Sequence, residues 1–118
     1  MQYMLLIYHS DPRGAVGDAT IAEFMTEIGA YNDGLKRSGH FIVSGGLAFP
    51  DTATCVRQRN GKVSMTDGPF AETKEFLGGF YLIEARDLND ALKVAEGLPM
   101  TRFGTVEVRP LNKLDAMK

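Results

Sequence analysis

The sequence predicts an α+β domain of ferredoxin-like type, a β-α-β-β-β-α-β sandwich, on three observations. Two stretches of helical periodicity each lie between short apolar runs of strand character. An Asn60-Gly61 step between two alternating segments marks a hairpin separating these halves. The length, 118 residues, suits one domain that buries a core without disulfide or metal. Two βαβ-like halves around one sheet, with both helices on one face, satisfy this order. We assign the domain to residues 1–112 and a polar tail to 113–118.

The elements follow in order. Residues 2–8, QYMLLIY, form an apolar, aromatic-rich strand, and residues 9–14, with Pro12 and Gly14, have loop chemistry. Thr20-Ile21-Ala22-Glu23 has the form of a capping box. Behind it Ile21, Phe24 or Met25, Ile28, Tyr31 and Leu35 recur at helical spacing up to Gly39, a plausible stop, so the first helix is expected over about residues 20–38. Phe41–Ser44 reads as a strand broken by Gly45-Gly46; Thr54–Arg59 and Lys62–Met65 form the hairpin. An irregular stretch, 66–78, precedes a strand over Gly79–Ala85. Asp87 caps a short helix with Leu88, Ala91, Leu92 and Ala95 inward, ended by Gly97 and Pro99, and Thr105–Arg109 is the last strand.

Composition narrows the function classes. The chain is 44% hydrophobic and 24% charged with net charge −2, and it has no basic run, so the electrostatic footprint of a nucleic-acid binder is missing. Cys55, the single cysteine, excludes an internal disulfide or cysteine-rich zinc site and reads as a small buried strand residue. The run Met4–Tyr8 is too short to span a membrane and lacks the basic flank of a signal peptide, so the expected location is the cytoplasm.

The strands argue for a homodimer. In a two-layer fold the open sheet face should be polar at alternate positions. Instead Tyr3, Leu5 and Ile7 oppose Met4, Leu6 and Tyr8, and Phe80 and Leu82 oppose Tyr81 and Ile83. A bare face of this kind is unusual for a monomer, and a second copy is the simplest cover. The alternative is that residues 47–78 fold over their own sheet.

No P-loop, GxGxxG or HExxH is present, two separated histidines make no recognisable metal site, and no cofactor is expected. The most distinctive stretch is DGPFAETKEFLGG, residues 67–79. Asp67 on a turn stiffened by Pro69 suits either a preorganised base or a turn cap. Phe70 is the loop's apolar anchor, while Glu72, Lys74 and Glu75 suit a solvated face. His9, where the first strand meets its loop, suits a base near neutral pH or a backbone-bonded loop residue. His40 reads as a surface residue, Tyr31 as core or as a hydroxyl donor, and Arg109 as solvated or as a contact for an anionic ligand. The candidate catalytic residues are Asp67, His9 and Tyr31; the candidate ligand contacts are Phe70, Lys74 and Arg109.

The sequence resembles the YCII-related family in its DGPF-motif branch: YMLLIY at the start, DGPFAETKE in the centre, then LGGFYLIEARDL followed by DAL, and VEVRPL near the end. The resemblance implies a dimeric α/β-barrel, in which two ferredoxin-like domains join sheets around a central cavity. Most members of that branch are uncharacterised, and some are encoded beside extracytoplasmic-function sigma factors. In the shorter branch a histidine–aspartate pair is proposed as catalytic, and one relative eliminates chloride from a chlorinated aromatic-derived substrate. That histidine belongs to the first helix, where the equivalent place here falls near Tyr31, so the pair does not carry over.

Two functions are therefore expected. The first is a small-molecule enzyme or binder, with a pocket between sheet and first helix or at the dimer seam. Its chemistry would be cofactor-free proton transfer or elimination on a small cyclic or aromatic-like acid, with Asp67 or His9 as base and Tyr31 as hydroxyl donor. The second is a non-catalytic regulatory module acting with a sigma factor or similar partner. It would show an exposed apolar patch outside the dimer interface and no enclosed cavity of roughly 300 Å³ or more.

Overall fold

The computed structural model describes residues 1–10 and 12–112, and for residues 12–20 the backbone alone. The elements are β1 (Gln2–His9), α1 (Pro12–Arg37), β2 (Phe41–Gly46), β3 (Thr54–Arg59), β4 (Lys62–Asp67), β5 (Phe76–Glu84), α2 (Leu88–Glu96) and β6 (Gly104–Pro110). Short 3₁₀ turns occupy Pro50–Thr52 and Pro99–Arg102. Strands β2-β5-β1-β6 make one antiparallel sheet, and β3-β4 pair separately as a hairpin. This α+β order is consistent with a ferredoxin-like fold carrying a hairpin between its halves. Among the described residues no helix is long and apolar enough to cross a membrane. The polar tail, 113–118, and Asp11 lie outside the described residues.

Period-2 patterning places the core. Tyr3, Leu5 and Ile7 of β1 and Tyr81 and Ile83 of β5 are buried beneath the helices, with Leu35, Ala91, Val94, Ala95 and Leu98. The opposite face carries Met4, Leu6, Phe80 and Leu82, which are only half-buried, and Val43, which is exposed. Residues 47–78 do not cover that face. Their approach is confined to its Tyr8–Leu77 end, where Leu47, Phe49, Pro69 and Phe70 border an open hollow of about 590 Å³.

Several expectations are corrected. The first helix starts at Pro12, so Thr20 is internal to it rather than at its N-terminus; its side chain lies outside the described residues. Proline is well suited to the first helical turn, because its missing N–H would have no partner there. Gly45 and Gly46 continue β2 rather than breaking it, and β5 starts earlier, at Phe76. In α2, Leu88 and Leu92 point outward, and the buried side is Asp90, Ala91, Val94 and Ala95. On that side the Asp90 carboxylate meets His40 and the Arg86 N–H. Cys55 is half-buried and donates to the Gly68 carbonyl at 3.3 Å.

Other local readings hold. Asn60 (φ 53°) and Gly61 (φ 78°) make the hairpin turn. At the end of α1, Gly39 takes φ 82°, its N–H donates to the Lys36 carbonyl and that of His40 to the Leu35 carbonyl. Glycine at that position closes the helix in a Schellman motif. The Asp87 carboxylate accepts from the Asp90 N–H at 2.9 Å, capping α2.

Candidate functional site

Between α1 and the sheet lies an open, mainly apolar cavity of about 260 Å³. Ser44, Gly45 and Gly46 of β2 and Gly78 and Gly79 of β5 line it on the sheet side. The near-absence of side chains there leaves a flat backbone surface. Phe24, Met25 and Ile28 of α1 face it, closed off by Met100 and Phe103. The Phe24 and Phe103 rings lie 5.0 Å apart, and Arg102 donates to both Glu27 oxygens at 2.8 and 2.7 Å, tying this wall to α1.

Four polar side chains, those of His9, Asn32, Ser44 and Tyr81, line this apolar space. His9 follows Ile7 on the helix-facing side of β1, and its Nδ1 lies 2.6 Å from the Ser10 carbonyl oxygen. A carbonyl only accepts, so Nδ1 carries the proton of the neutral ring and Nε2 holds a lone pair. The ring is edge-on to Phe76 at 5.3 Å. Tyr81 donates to Asn32 Oδ1 at 2.5 Å, joining β5 to α1 at the cavity wall. Burial pushes the Tyr81 hydroxyl up, and the Asn32 hydrogen bond partly offsets this. No lysine, arginine or carboxylate lines the cavity among the described residues. The arrangement offers one basic nitrogen and one amide–hydroxyl pair to a mostly nonpolar occupant.

A model of the YCII-related domain matches residues 1–115. The chain belongs to the YCII-related family. It is also similar to an uncharacterised protein of Rhizobium meliloti (strain 1021), at 49% identity over 67 residues, covering 52% of each chain. The YCII-related chain thus spans about half the length of that curated relative.

Of the six residues singled out from sequence, this YCII-related fold brings only His9 to the cavity. Tyr31 donates to the Val94 carbonyl at 2.6 Å, a bond that ties α1 to α2; burial pushes its hydroxyl up. Asp67 ends β4 opposite Thr54, exposed. Phe70 is exposed beneath the Arg57 guanidinium, 5.1 Å from the ring centre, and Lys74 is exposed. Arg109 pairs with Met4 on β1, also exposed. Asn32, Ser44 and Tyr81 are the lining residues that sequence reasoning passed over. Tyr81 read as an apolar strand residue, and nothing local announces a partner 49 positions away.

His40 is not a plain surface residue. Its Nε2 lies 3.1 Å from Asp90 Oδ2 and its Nδ1 2.7 Å from Ser38 Oγ. The Asp90 carboxylate also accepts from the Arg86 backbone N–H at 3.0 Å. That bond, with His40 and the Arg86 charge, holds the Asp90 carboxyl down at about 2. The cluster fastens the start of α2 to the start of β2, away from the cavity.

Proposed function

We propose that this protein is a homodimeric, cytoplasmic small-molecule enzyme or binder of the DGPF-motif branch, using the cavity beneath α1. The ligand is small, flat and mostly apolar, and the chemistry is cofactor-free proton transfer or elimination with His9 as base. The observation that carries this reading is the placement of His9: Nδ1 lies against the Ser10 carbonyl, and Nε2 has no hydrogen-bond partner among the described residues, beside a largely apolar cavity. A glycine-lined surface on β2 and β5 suits a planar ring. Nε2 takes a proton from carbon or oxygen of the ligand. The electron pair left behind either delocalises into the ring or expels a leaving group, and the Asn32–Tyr81 pair supplies polar contacts to the charge that develops.

Because no cation lines the cavity among the described residues, a carboxylate on the substrate belongs at the open mouth. Homodimerisation is supported by Met4, Leu6, Phe80 and Leu82, half-bare on the face opposite the helices. Joined there, two copies would form a dimeric α/β barrel.

The second reading, a non-catalytic module for a sigma factor or similar partner, is favoured by two observations: the cavity beneath α1 is open and, at about 260 Å³, short of the enclosed cavity of roughly 300 Å³ that the first reading expects, and the hairpin carries exposed apolar residues. The hairpin exposes Val56, Val63 and Met65 outside the sheet face. Isotope exchange separates the two. With planar cyclic ketones and hydroxy-aromatic carbon acids in D₂O, the protein should speed exchange of an acidic C–H, and His9→Gln should abolish that. Exchange equal in both proteins contradicts the role of His9; no ligand in the cavity at all favours the module.

A further inference from the structure

The polar groups that line the cavity fall into two sets of opposite hydrogen-bonding sense. At one end stands His9, an acceptor at Nε2, placed over Gly78 of β5. At the other end Tyr81 of β5, Ser44 of β2 and Asn32 of α1 come together. Ser44 is directly opposite Tyr81 in the β2–β5 register, so the two side chains stand on the same side of the sheet. The Tyr81 hydroxyl gives its single hydrogen to Asn32 Oδ1 at 2.5 Å. That bond sets the sense of the amide: Oδ1 is taken, and the two Nδ2 hydrogens are left to donate. Neither Asn32 Nδ2 nor Ser44 Oγ has a partner among the described residues. Positions 78 and 81 are separated by roughly 10 Å of strand. Bare backbone lies near them, that of Gly78 and Gly79 beside Gly45 and Gly46, where a flat ring can rest.

We propose that Asn32 is a catalytic residue of this cavity, the donor to the oxygen of an uncharged cyclic ketone, and that the reaction is keto–enol tautomerisation. The inference rests on His9 as base and adds the other half of the site. An acceptor at one end and donors at the other match a ring C–H made acidic by a carbonyl on the same ring. His9 Nε2 removes the proton, the C–H electron pair becomes the C=C bond of the enolate, and the carbonyl π pair moves onto oxygen. That oxygen accepts from Asn32 Nδ2–H. The imidazolium then protonates it to give the enol, so only C–H and O–H bonds change and no co-reactant is consumed. Neutral donors in an apolar cavity favour an oxyanion that forms inside it over a carboxylate that must shed its water to enter. Tyr81 acts through Asn32 and is a positioning residue.

The test compares 2-indanone with indane, the same ring without the oxygen, on the intact protein. Deuterium exchange of 2-indanone is measured, with nitrogen–proton NMR of the Asn32 side-chain amide and proton–carbon NMR of His9. Both compounds are expected to move the His9 signal, and 2-indanone alone to move the Asn32 amide. In Asn32→Asp the carboxylate still accepts from Tyr81 but donates nothing, so exchange should slow about a hundredfold while indane binds as in the parent. Exchange at the parent rate in this variant overturns the role of Asn32 and leaves His9 and the cavity standing. If neither compound moves His9, both readings fall. Should Asn32→Asp unfold, the parent amide signals decide: movement with 2-indanone and not with indane supports the donor, and no movement overturns it. Tyr81→Phe, which releases the amide to turn, should lower kcat about tenfold with KM unchanged. A change in KM alone overturns its positioning role.

Discussion

His9 and Gly78 are fitted to one another: a side-chain carbon at Gly78 would lie 2.2 Å from His9 Nε2. The imidazole reaches its place because β5 has no side chain there, at the point where the β1–β5 register slips by one residue between Ile7 and Tyr8. Gly78→Ala must therefore push His9 aside. Histidine is the mobile partner, so the fold should tolerate the change at a cost of about 1 kcal/mol, while ligand affinity or turnover falls at least tenfold. Calorimetry with a binding assay reads both. Unaltered binding would mean that His9 does not touch the ligand.

Gly46 gives the converse test. It lines the cavity, and a side-chain carbon there would meet no atom within 4 Å. Gly46→Val should fold normally and occupy the ligand's space, abolishing binding of planar fragments. Parent-like affinity in this variant would place the ligand elsewhere.

Tyr31→Phe removes one hydrogen bond, to the Val94 carbonyl, at the junction of α1 and α2. The expected loss is about 1 kcal/mol, or about 4 °C in Tm, without effect on cavity binding. Loss of binding at full stability would reinstate Tyr31 as a ligand contact.

Acid should act through Asp90. Its folded-state carboxyl sits near 2, below the usual carboxylate range, chiefly because the Arg86 N–H bonds the charged form and His40 assists. A lowered folded value means that its contribution is complete above about pH 4 and disappears as pH falls towards 2. Asp90→Asn should be less stable at neutral pH and show a shallower loss over that window in thermal melts. An unchanged acid limb would show that the carboxylate contributes nothing to folding.

These contacts also explain what was legible in advance. The hairpin could be read because Asn60-Gly61 encodes its turn locally, and the doubly apolar β1 and β5 because period-2 patterning needs no partner. The start of α1 was obscured. Gly14 and Gly17 are poor helix formers, and Thr20 with Glu23 imitates a cap inside the helix. The inward side of α2 includes Asp90, whose partner His40 is 50 positions away, while Leu88 and Leu92 are exposed. The polar half of the cavity, Tyr81 with Asn32, is likewise long-range. His9 was visible because a histidine at a strand end needs only its position to attract notice, whereas Asp67 and Phe70 drew notice through a motif that the fold sets at and just beyond the end of β4, outside this cavity.

The most direct measurement uses the two histidines as reporters, one in the cavity and one in the Asp90 cluster. Imidazole carbon–proton NMR signals, assigned with His9→Gln and His40→Gln, are followed while planar aromatic and cyclic fragments are titrated into the intact protein. A saturable shift of the His9 signal with His40 unmoved is the expected result, and Gly46→Val should abolish it. Fragments that saturate the protein without moving His9 would contradict the assignment of this cavity as the functional site.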